Sequence, residues 1–90
     1  MPRTTRDEEP PVYNRLSVLR AERGLSRQDL ADAIGVHYQT VGYLERGEYK
    51  PSLLLALRIA EHFGLPVDAV FSLRPFTPMS EALYPQGDRR

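Results

Sequence analysis

Residues 26–47 read SRQDLADAIGVHYQTVGYLERG, and the architecture of the domain can be predicted from this segment. It begins with Ser26, a good helix N-cap residue, and continues with apolar residues at the spacing of one buried helix face. These inward-facing residues are Leu30, Ala31 and Ile34. Gly35 favours a sharp break, after which a second helix is expected to begin at Tyr38 and to be closed by Gly47. The stretch therefore predicts two short helices joined by a very short turn.

The turn at Gly35 is so tight that the two helices must cross at a large angle. Small and apolar residues are then needed where the helices touch. Ala31 lets the two backbones approach, and the residues that fill the junction are Val36, Val41 and Leu44. This combination is the helix-turn-helix pattern. Each residue alone is weak evidence, but the whole set within one short window is a strong indication.

The outer face of the second helix differs from an ordinary solvated surface. Such a surface is usually rich in strong helix formers such as Glu, Lys, Ala and Arg. Here the residues off the buried stripe are His37, Tyr38, Gln39, Thr40, Gly42, Tyr43 and Arg46. All of them except glycine can form hydrogen bonds or stack, so this face predicts a partner other than water. A surface without any partner is the alternative interpretation.

Three further helices are predicted around this pair. The helix before it is closed by Gly24 and has helically spaced residues Leu16, Leu19, Arg20 and Arg23. Pro51 and Ser52 open a fourth helix, whose predicted inward stripe is Leu53, Ala56, Leu57, Ala60 and Phe63. Pro66 suits the first turn of a short fifth helix that carries Val67, Val70 and Phe71. The fold class is thus all-α, a compact five-helix domain over residues 12–73.

The flanking segments differ in composition from this domain. Residues 1–11 are rich in proline and charge and nearly lack apolar side chains, which predicts a flexible N-terminal arm. Residues 74–90 contain three prolines and end in GDRR, which predicts a C-terminal tail. The sequence leaves two alternatives open for that tail, which is either disordered or associated with a dimer.

The composition narrows the classes of function. The chain has 12 Lys and Arg against 12 Asp and Glu, which argues against nucleic-acid binding by net charge alone. It has no cysteine, no apolar run near the roughly 18 residues of a membrane span and no apolar signal-peptide core. We therefore expect a cytoplasmic protein with no membrane partner, no cofactor and no metal. His37 and His62 lack ligand-spaced neighbours and no catalytic constellation is evident, so no enzymatic activity is expected.

The segment LSRQDLADAIGVHYQTVGYLERGEYKPSLLLALRIAEHFGLPVDAVF closely resembles the Cro/CI-like, xenobiotic-response-element helix-turn-helix regulators. The resemblance covers residues 13–73 and is closest to the short dimeric repressors of that family. It implies a lambda-repressor-like domain and a homodimer that binds operator DNA. It also implies a short β pairing between a segment before the first helix and one after the fifth. The matching segments are Pro11-Val12-Tyr13 and Phe71-Ser72-Leu73-Arg74.

The outer face of the second motif helix would then contact DNA. A helix in the major groove presents its N-terminal residues to base edges, and Gln39 can pair with adenine. Gly42 would leave room for close approach. By resemblance, the base-reading residues are Tyr38, Gln39, Thr40 and Tyr43. Expected contacts to the DNA backbone come from Arg27, Gln28, His37, Arg46 and Lys50. His37 and Tyr38 depart from the family's usual residues, which affects the expected target sequence rather than DNA binding.

Two structural roles are also implied. Arg20 lies on the inner stripe of the first helix, where a charge needs a partner, and the family commonly pairs this position with that of Glu45. The fourth helix is more apolar than one core face requires, which predicts a subunit interface. The interface candidates are Leu54, Leu55, Ile59, Phe71 and Leu73. Extra packing under the arms is the alternative interpretation.

The sequence therefore predicts a transcriptional regulator, a repressor that binds a palindromic DNA operator as a homodimer. The alternative is an antitoxin that captures a toxin through its arms and represses its own operon. Two further alternatives are a helical protein-binding module without DNA contact and a DNA-modifying enzyme subunit, such as a restriction-modification controller. The gene neighbourhood would separate the antitoxin and the controller from a simple repressor.

Overall fold

Four α-helices and two short strands make up residues 9–77, the part of the chain that the computed structural model describes. Strand β1 is Tyr13–Asn14 and strand β2 is Phe71–Ser72. The helices are α1 (Leu16–Glu22), α2 (Arg27–Ile34), α3 (Tyr38–Glu45) and α4 (Leu53–Phe63). Most of the predicted N-terminal arm and of the C-terminal tail lies outside the described residues.

The prediction of a fifth α-helix is wrong. Val67–Ala69 is a single 3-10 turn, closed by a hydrogen bond from Val70 N–H to the Val67 carbonyl at 3.0 Å. Pro66 does begin this turn, with a φ of −62°. Strand β2 starts directly after Val70, however, so no room is left for an α-helical turn. Val70 is fully buried in the core, while Phe71 pairs in the sheet.

The predicted pairing of the flanking segments is confirmed. Strands β1 and β2 are antiparallel, with Tyr13 opposite Ser72 and Asn14 opposite Phe71. Asn14 also connects this small sheet to the helices. Its Nδ2 donates to the Leu44 carbonyl at 2.8 Å, and its Oδ1 accepts from Leu16 N–H at 2.9 Å. The sheet is thereby tied to the end of α3 and to the start of α1.

The core lies between the four helices and the 3-10 turn. All the apolar residues predicted to hold the α2–α3 junction are buried, except that Val36 is partly buried and packs against the core. The core cluster consists of Leu16, Leu19, Leu30, Ala31, Ile34, Val41, Leu44, Ile59, Ala60, Phe63 and Val70. Because α2 and α3 share this core, their relative orientation is held by buried side chains on both sides of the turn.

Only part of the predicted inward stripe of helix α4 is buried: Ala56, Ala60 and Phe63 face the core as predicted. Leu53 and Leu57 were expected to point inward, yet they are 73% and 48% exposed. Ile59 was expected at a subunit interface, yet it is 0% exposed in the core. The buried stripe of this helix is Ala56, Ile59, Ala60 and Phe63. This is the spacing of one helix face, so Ile59 cannot belong to an exposed interface unless α4 rotates.

The predicted N-cap of α2 is confirmed and forms a capping box. Ser26 Oγ accepts a hydrogen bond from Asp29 N–H at 3.0 Å, and Asp29 Oδ2 accepts one from Ser26 N–H at 2.9 Å. The hydrogen bond from the Ser26 backbone, with a further contribution from its side chain, lowers the pKa of the Asp29 carboxyl below its ordinary value. These contacts hold the start of α2, which is also the site of Arg27.

Replacement of Ser26 by alanine is expected to lower the free energy of unfolding by about 1 kcal/mol, because the N-cap hydrogen bond is lost. Thermal denaturation measures this change. Ser17→Ala, at an exposed position within α1, is the matched control and should have little effect. The pKa of Asp29 is lowered in the folded state, so its ionised carboxylate stabilises the fold. This stabilisation is fully present above the ordinary pKa of 3.8 and is lost as the pH falls through the folded-state pKa. The difference in the free energy of unfolding between wild type and Ser26→Ala should therefore become smaller in acid. A difference that does not change with pH would contradict the link to Asp29.

Candidate nucleic-acid interface

The turn between α2 and α3 is closed by the backbone. Gly35 adopts a left-handed conformation with a φ of 78°, which a residue with a side chain rarely adopts. The N–H groups of Gly35 and Val36 both donate to the Ala31 carbonyl, at 2.8 and 3.0 Å. His37 then caps α3, because its Nδ1 accepts a hydrogen bond from Gln39 N–H at 3.1 Å. The start of α3 is thus fixed by the backbone hydrogen bonds to Ala31 before it and by the side-chain cap from His37.

The predicted base-reading residues lie on the outside of α3. Tyr38 and Tyr43 are each 46% exposed, Gln39 is exposed and Thr40 is half-buried. Tyr38, Gln39 and Tyr43 line one groove beside α2, whereas Thr40 lines a second groove on the other side of Tyr43. The His37 ring stacks on Tyr38 with ring centroids 5.0 Å apart. The outer face of α3 therefore presents an amide and two phenol groups to solvent.

The predicted partners Arg20 and Glu45 lie within an ion network of three residues. Arg20 Nε is 2.7 Å from Glu45 Oε2, and Arg27 Nε is 3.1 Å from Glu45 Oε1. The exposed fractions of the three side chains are 4% for Glu45, 21% for Arg20 and 45% for Arg27. Arg20 also donates to the Leu25 carbonyl at 2.9 Å. One nearly buried carboxylate thus holds two cations, of which Arg27 is the more exposed.

Three other residues predicted to contact the DNA backbone are engaged within the chain. Gln28 Nε2 donates to Asp32 at 2.8 Å, and Arg46 Nε lies 3.2 Å from Glu48. Lys50 Nζ is 2.9 Å from a Glu9 carboxylate oxygen and 3.0 Å from the Pro10 carbonyl. Lys50 thus holds the segment before β1 against the loop after α3. The sequence offered no signal for that contact, since the two segments are far apart in the chain.

Gly42 has a different role from the one predicted. We expected its missing side chain to leave room for a partner, but Gly42 is buried beneath two arginine side chains. A Cβ atom at this position would lie 3.2 Å from Arg46 Nη1 and 3.6 Å from Arg27 Nη1. Arg27 and Arg46 line the same groove as Tyr38, Gln39 and Tyr43. The groove therefore has a positively charged floor as well as polar and aromatic walls.

The predicted interface candidates fall into two groups. Leu54 and Leu73 are 59% and 70% exposed, and the unexpectedly exposed Leu53 and Leu57 add to this apolar surface. The other three interface candidates pack inward. Leu55 and Phe71 are partly buried against the core, and Ile59 is within it. Leu53, Leu54 and Leu57 lie near one another on α4, because residues three and four positions apart are neighbours on a helix.

Within residues 9–77, no cluster of three or more histidine, cysteine, aspartate or glutamate residues could hold a metal ion. No helix of that same part of the chain is long and apolar enough to cross a membrane.

The fold and this groove together define a helix-turn-helix protein whose second motif helix presents a polar, exposed face. The sequence profile of the HTH_3 helix-turn-helix family matches residues 16–70. An uncharacterised HTH-type transcriptional regulator of Bacillus subtilis is 45% identical over 62 residues, which are 69% of this chain and 94% of that one. Another, from Methanocaldococcus jannaschii, is 43% identical over 60 residues, or 67% and 91% of the two chains. The chain therefore belongs to the Cro/CI-like, HTH_3 family of helix-turn-helix transcriptional regulators.

Solved structures agree with this assignment. The restriction-modification controller protein C.AhdI from Aeromonas hydrophila superposes with a TM-score of 0.56 at 33% sequence identity. That match covers 60% of this chain and 82% of the controller. A protein from Bacteroides fragilis superposes with a TM-score of 0.61, but at 23% identity it shows the fold alone.

Proposed function

We propose that this chain is a sequence-specific repressor that binds a two-fold symmetric DNA operator as a homodimer. The observation that carries the proposal is the outer face of α3, where Tyr38, Gln39 and Tyr43 line one exposed groove with Arg27 and Arg46. A major groove about 12 Å wide admits an α-helix, so this face can approach base edges. Membership in the helix-turn-helix regulator family supports the same assignment.

The side chains of α3 divide into two chemical roles. Gln39 carries an amide that can donate to N7 and accept from N6 of the same adenine, which discriminates among base pairs. Thr40 can bond a base or contact a thymine methyl group, and the tyrosines can bond phosphate or pack on sugars. The cap from His37 holds Gln39 N–H within the helix start, so the amide side chain is presented from an ordered backbone. Base selectivity is thereby assigned to the first turn of α3.

A dimer is needed because one domain offers only a small DNA contact. The whole chain has no net charge, so electrostatic attraction alone supplies little affinity. A two-fold dimer doubles the contact and sets two recognition helices about 34 Å apart, which is one turn of DNA. The exposed leucines of α4 support self-association, since three of them are neighbours on one helix. Repression then follows from occupancy, because a bound dimer excludes polymerase from the operator.

Titration of labelled duplex DNA tests the proposed function. The probes are a duplex from the gene's own upstream region and a scrambled duplex of the same composition, each at two salt concentrations. A specific regulator should bind the upstream duplex at least ~10³-fold more tightly than the scrambled one. Equal and weak binding to both would contradict control of its own gene, and a selection from random duplexes would then test for any other operator. The absence of an enriched sequence would overturn sequence-specific binding.

Leu54→Glu is expected to weaken self-association by at least about tenfold, because two like charges would meet across a two-fold interface. The side chain is 59% exposed in the single chain, so the charge should cost little folding stability. Sedimentation equilibrium measures the change. The control is Val18→Glu, which places the same charge at a 52% exposed position on α1. A monomeric wild type would overturn the dimer, and equal effects of both variants would remove α4 from the interface.

A restriction-modification controller is the second candidate function. One observation favours it: the solved controller from Aeromonas hydrophila shares 33% sequence identity and covers 60% of this chain. Such a regulator would use the same helices and the same dimer. The two candidates differ in the regulated genes, so the genes adjacent to the operator found by titration would distinguish them.

A further inference from the structure

Two arginine side chains from different parts of the motif converge over Gly42. Arg27 is the first residue of α2, and Arg46 follows the last residue of α3. Their Nη1 atoms both lie within 3.6 Å of the point where a Gly42 Cβ would be. The tertiary packing of α2 on α3 therefore brings two cations that are far apart in the sequence to the same glycine, and a side chain at position 42 would occupy the space between them and the helix.

Two guanidinium groups that approach the same glycine repel each other unless anions offset their charge. Each is held at its Nε edge by a carboxylate: Arg27 by Glu45 at 3.1 Å and Arg46 by Glu48 at 3.2 Å. Glu45 is also 2.7 Å from Arg20, so its one charge is shared between two cations. Three guanidinium groups thus face two carboxylates, and the cluster retains one positive charge.

The Nη1 ends of Arg27 and Arg46 are the open side of this cluster. Their Nε atoms donate to carboxylates, but neither Nη1 donates a hydrogen bond to another group within residues 9–77. Guanidinium N–H groups match the oxygens of phosphate in geometry and charge, and two of them can contact different oxygens of one phosphate. The Arg46–Glu48 pair is about half exposed on both sides, so a phosphate can compete with that carboxylate at little cost.

We propose that Arg27 and Arg46 form a single anion cradle that binds one phosphate group from two helices at once, and that Gly42 is the residue that permits it. The cradle lies in the groove lined by Gln39 and Tyr43, so the phosphate is a phosphodiester of bound DNA. The inference rests on the proposed function and deepens it. It replaces two independent backbone contacts with one shared contact that positions α2 and α3 on the same strand.

The salt dependence of DNA binding separates one shared phosphate from two independent contacts. The slope of log K against log salt changes by about 0.9 for each phosphate contact on a duplex. A shared phosphate predicts that Arg27→Ala and Arg46→Ala each weaken binding, while the double variant reduces the slope by about 0.9 in total. A reduction of about 1.8 in the double variant would mean two independent contacts and overturn the cradle. Arg58→Ala, an exposed arginine that lines a different groove, is the control and should leave the slope unchanged.

Gly42→Ala tests the role of the glycine without removing a charge. The added methyl group would press on Arg46 Nη1, which is the flexible end of its side chain, and would separate the two guanidinium groups. Binding to the upstream and scrambled duplexes should weaken alike, by about tenfold. The melting temperature should not fall, because alanine has a higher helix propensity than glycine. Wild-type affinity in this variant would overturn the cradle, and the charge-removal variants decide the matter if the variant does not fold.

Failure of the cradle and failure of the proposed function give different results. If wild type binds DNA but the double variant reduces the salt slope by the amount expected for two independent contacts, the proposed function is supported and the cradle is overturned. If wild type binds no duplex, the function fails, and titration with inorganic phosphate decides the cradle. Joint shifts of the Arg27 and Arg46 Nε–H resonances in NMR spectra, lost in Gly42→Ala, would support a site for free phosphate. Unchanged resonances throughout the titration would overturn it.

Discussion

Replacement of Glu45 by glutamine is expected to lower the free energy of unfolding by about 3 kcal/mol. The Glu45 side chain is only 4% exposed and accepts from both Arg20 and Arg27. Glutamine keeps the volume but removes the charge, which leaves the largely buried Arg20 without a counter-ion. Loss of one partner of a buried pair costs about 3–5 kcal/mol, and the 21% exposure of Arg20 places this case at the lower end. Since small domains have a total stability of about 5–15 kcal/mol, this loss is a large part of the total.

Urea denaturation of wild type and Glu45→Gln measures this loss. Glu48→Gln is the matched control, because it makes the same chemical change in an ion pair whose side chains are 47% and 55% exposed. Exposed pairs contribute about 0–1 kcal/mol, so the control should remain near wild-type stability. Similar losses in the two variants would show that burial does not set the energy of the Glu45 network.

Replacement of Gln39 by alanine is expected to weaken binding to the cognate duplex by about 1–3 kcal/mol, because an amide that pairs with a base edge is removed. Gln39 is exposed, so the variant should fold as wild type does. Binding to a scrambled duplex should be nearly unchanged. Among cognate duplexes with single base changes, preference should be relaxed at one base pair only.

Gln28→Ala is the matched control for Gln39→Ala, since it removes the same amide from an exposed position on the neighbouring helix α2. Gln28 donates to Asp32 and does not line the groove beside α3. Its loss should affect all duplexes alike or not at all. Fluorescence anisotropy with the cognate and the substituted duplexes gives both sets of affinities. A uniform loss of affinity in Gln39→Ala would contradict its assignment to base recognition.

The α2–α3 unit was predictable because its signals are local. Ser26 and Ser52 both accept N-cap hydrogen bonds, as their positions before apolar helical segments predict. Gly35 has the left-handed conformation that its place at the break requires. The spacing of apolar residues in α2 likewise predicted its buried face. Each of these features depends on neighbours within a few positions, so periodicity and capping rules are sufficient to find them.

Helix α4 shows where such rules fail. Eight of its eleven residues are apolar, so several stripes satisfy helical periodicity equally well. Packing against α2 and the 3-10 turn selects Ile59 for the core and leaves Leu53 and Leu57 exposed. The sequence alone could not decide this rotation, because the alternatives differ only in which apolar side chains meet the rest of the core.

The helix-turn-helix motif, the family and the residues on the outer face of α3 could all be predicted from local sequence patterns. Which of those residues lie together depends on the packing of the helices. Arg27 and Arg46 both lie over Gly42 because α2 and α3 pack together at their buried junction. Lys50 reaches Glu9 because the Asn14 side chain ties β1 to the Leu44 carbonyl, which places the segment before β1 beside the loop after α3. Local signals specify helices and caps, whereas contacts between distant charges depend on how the finished elements pack.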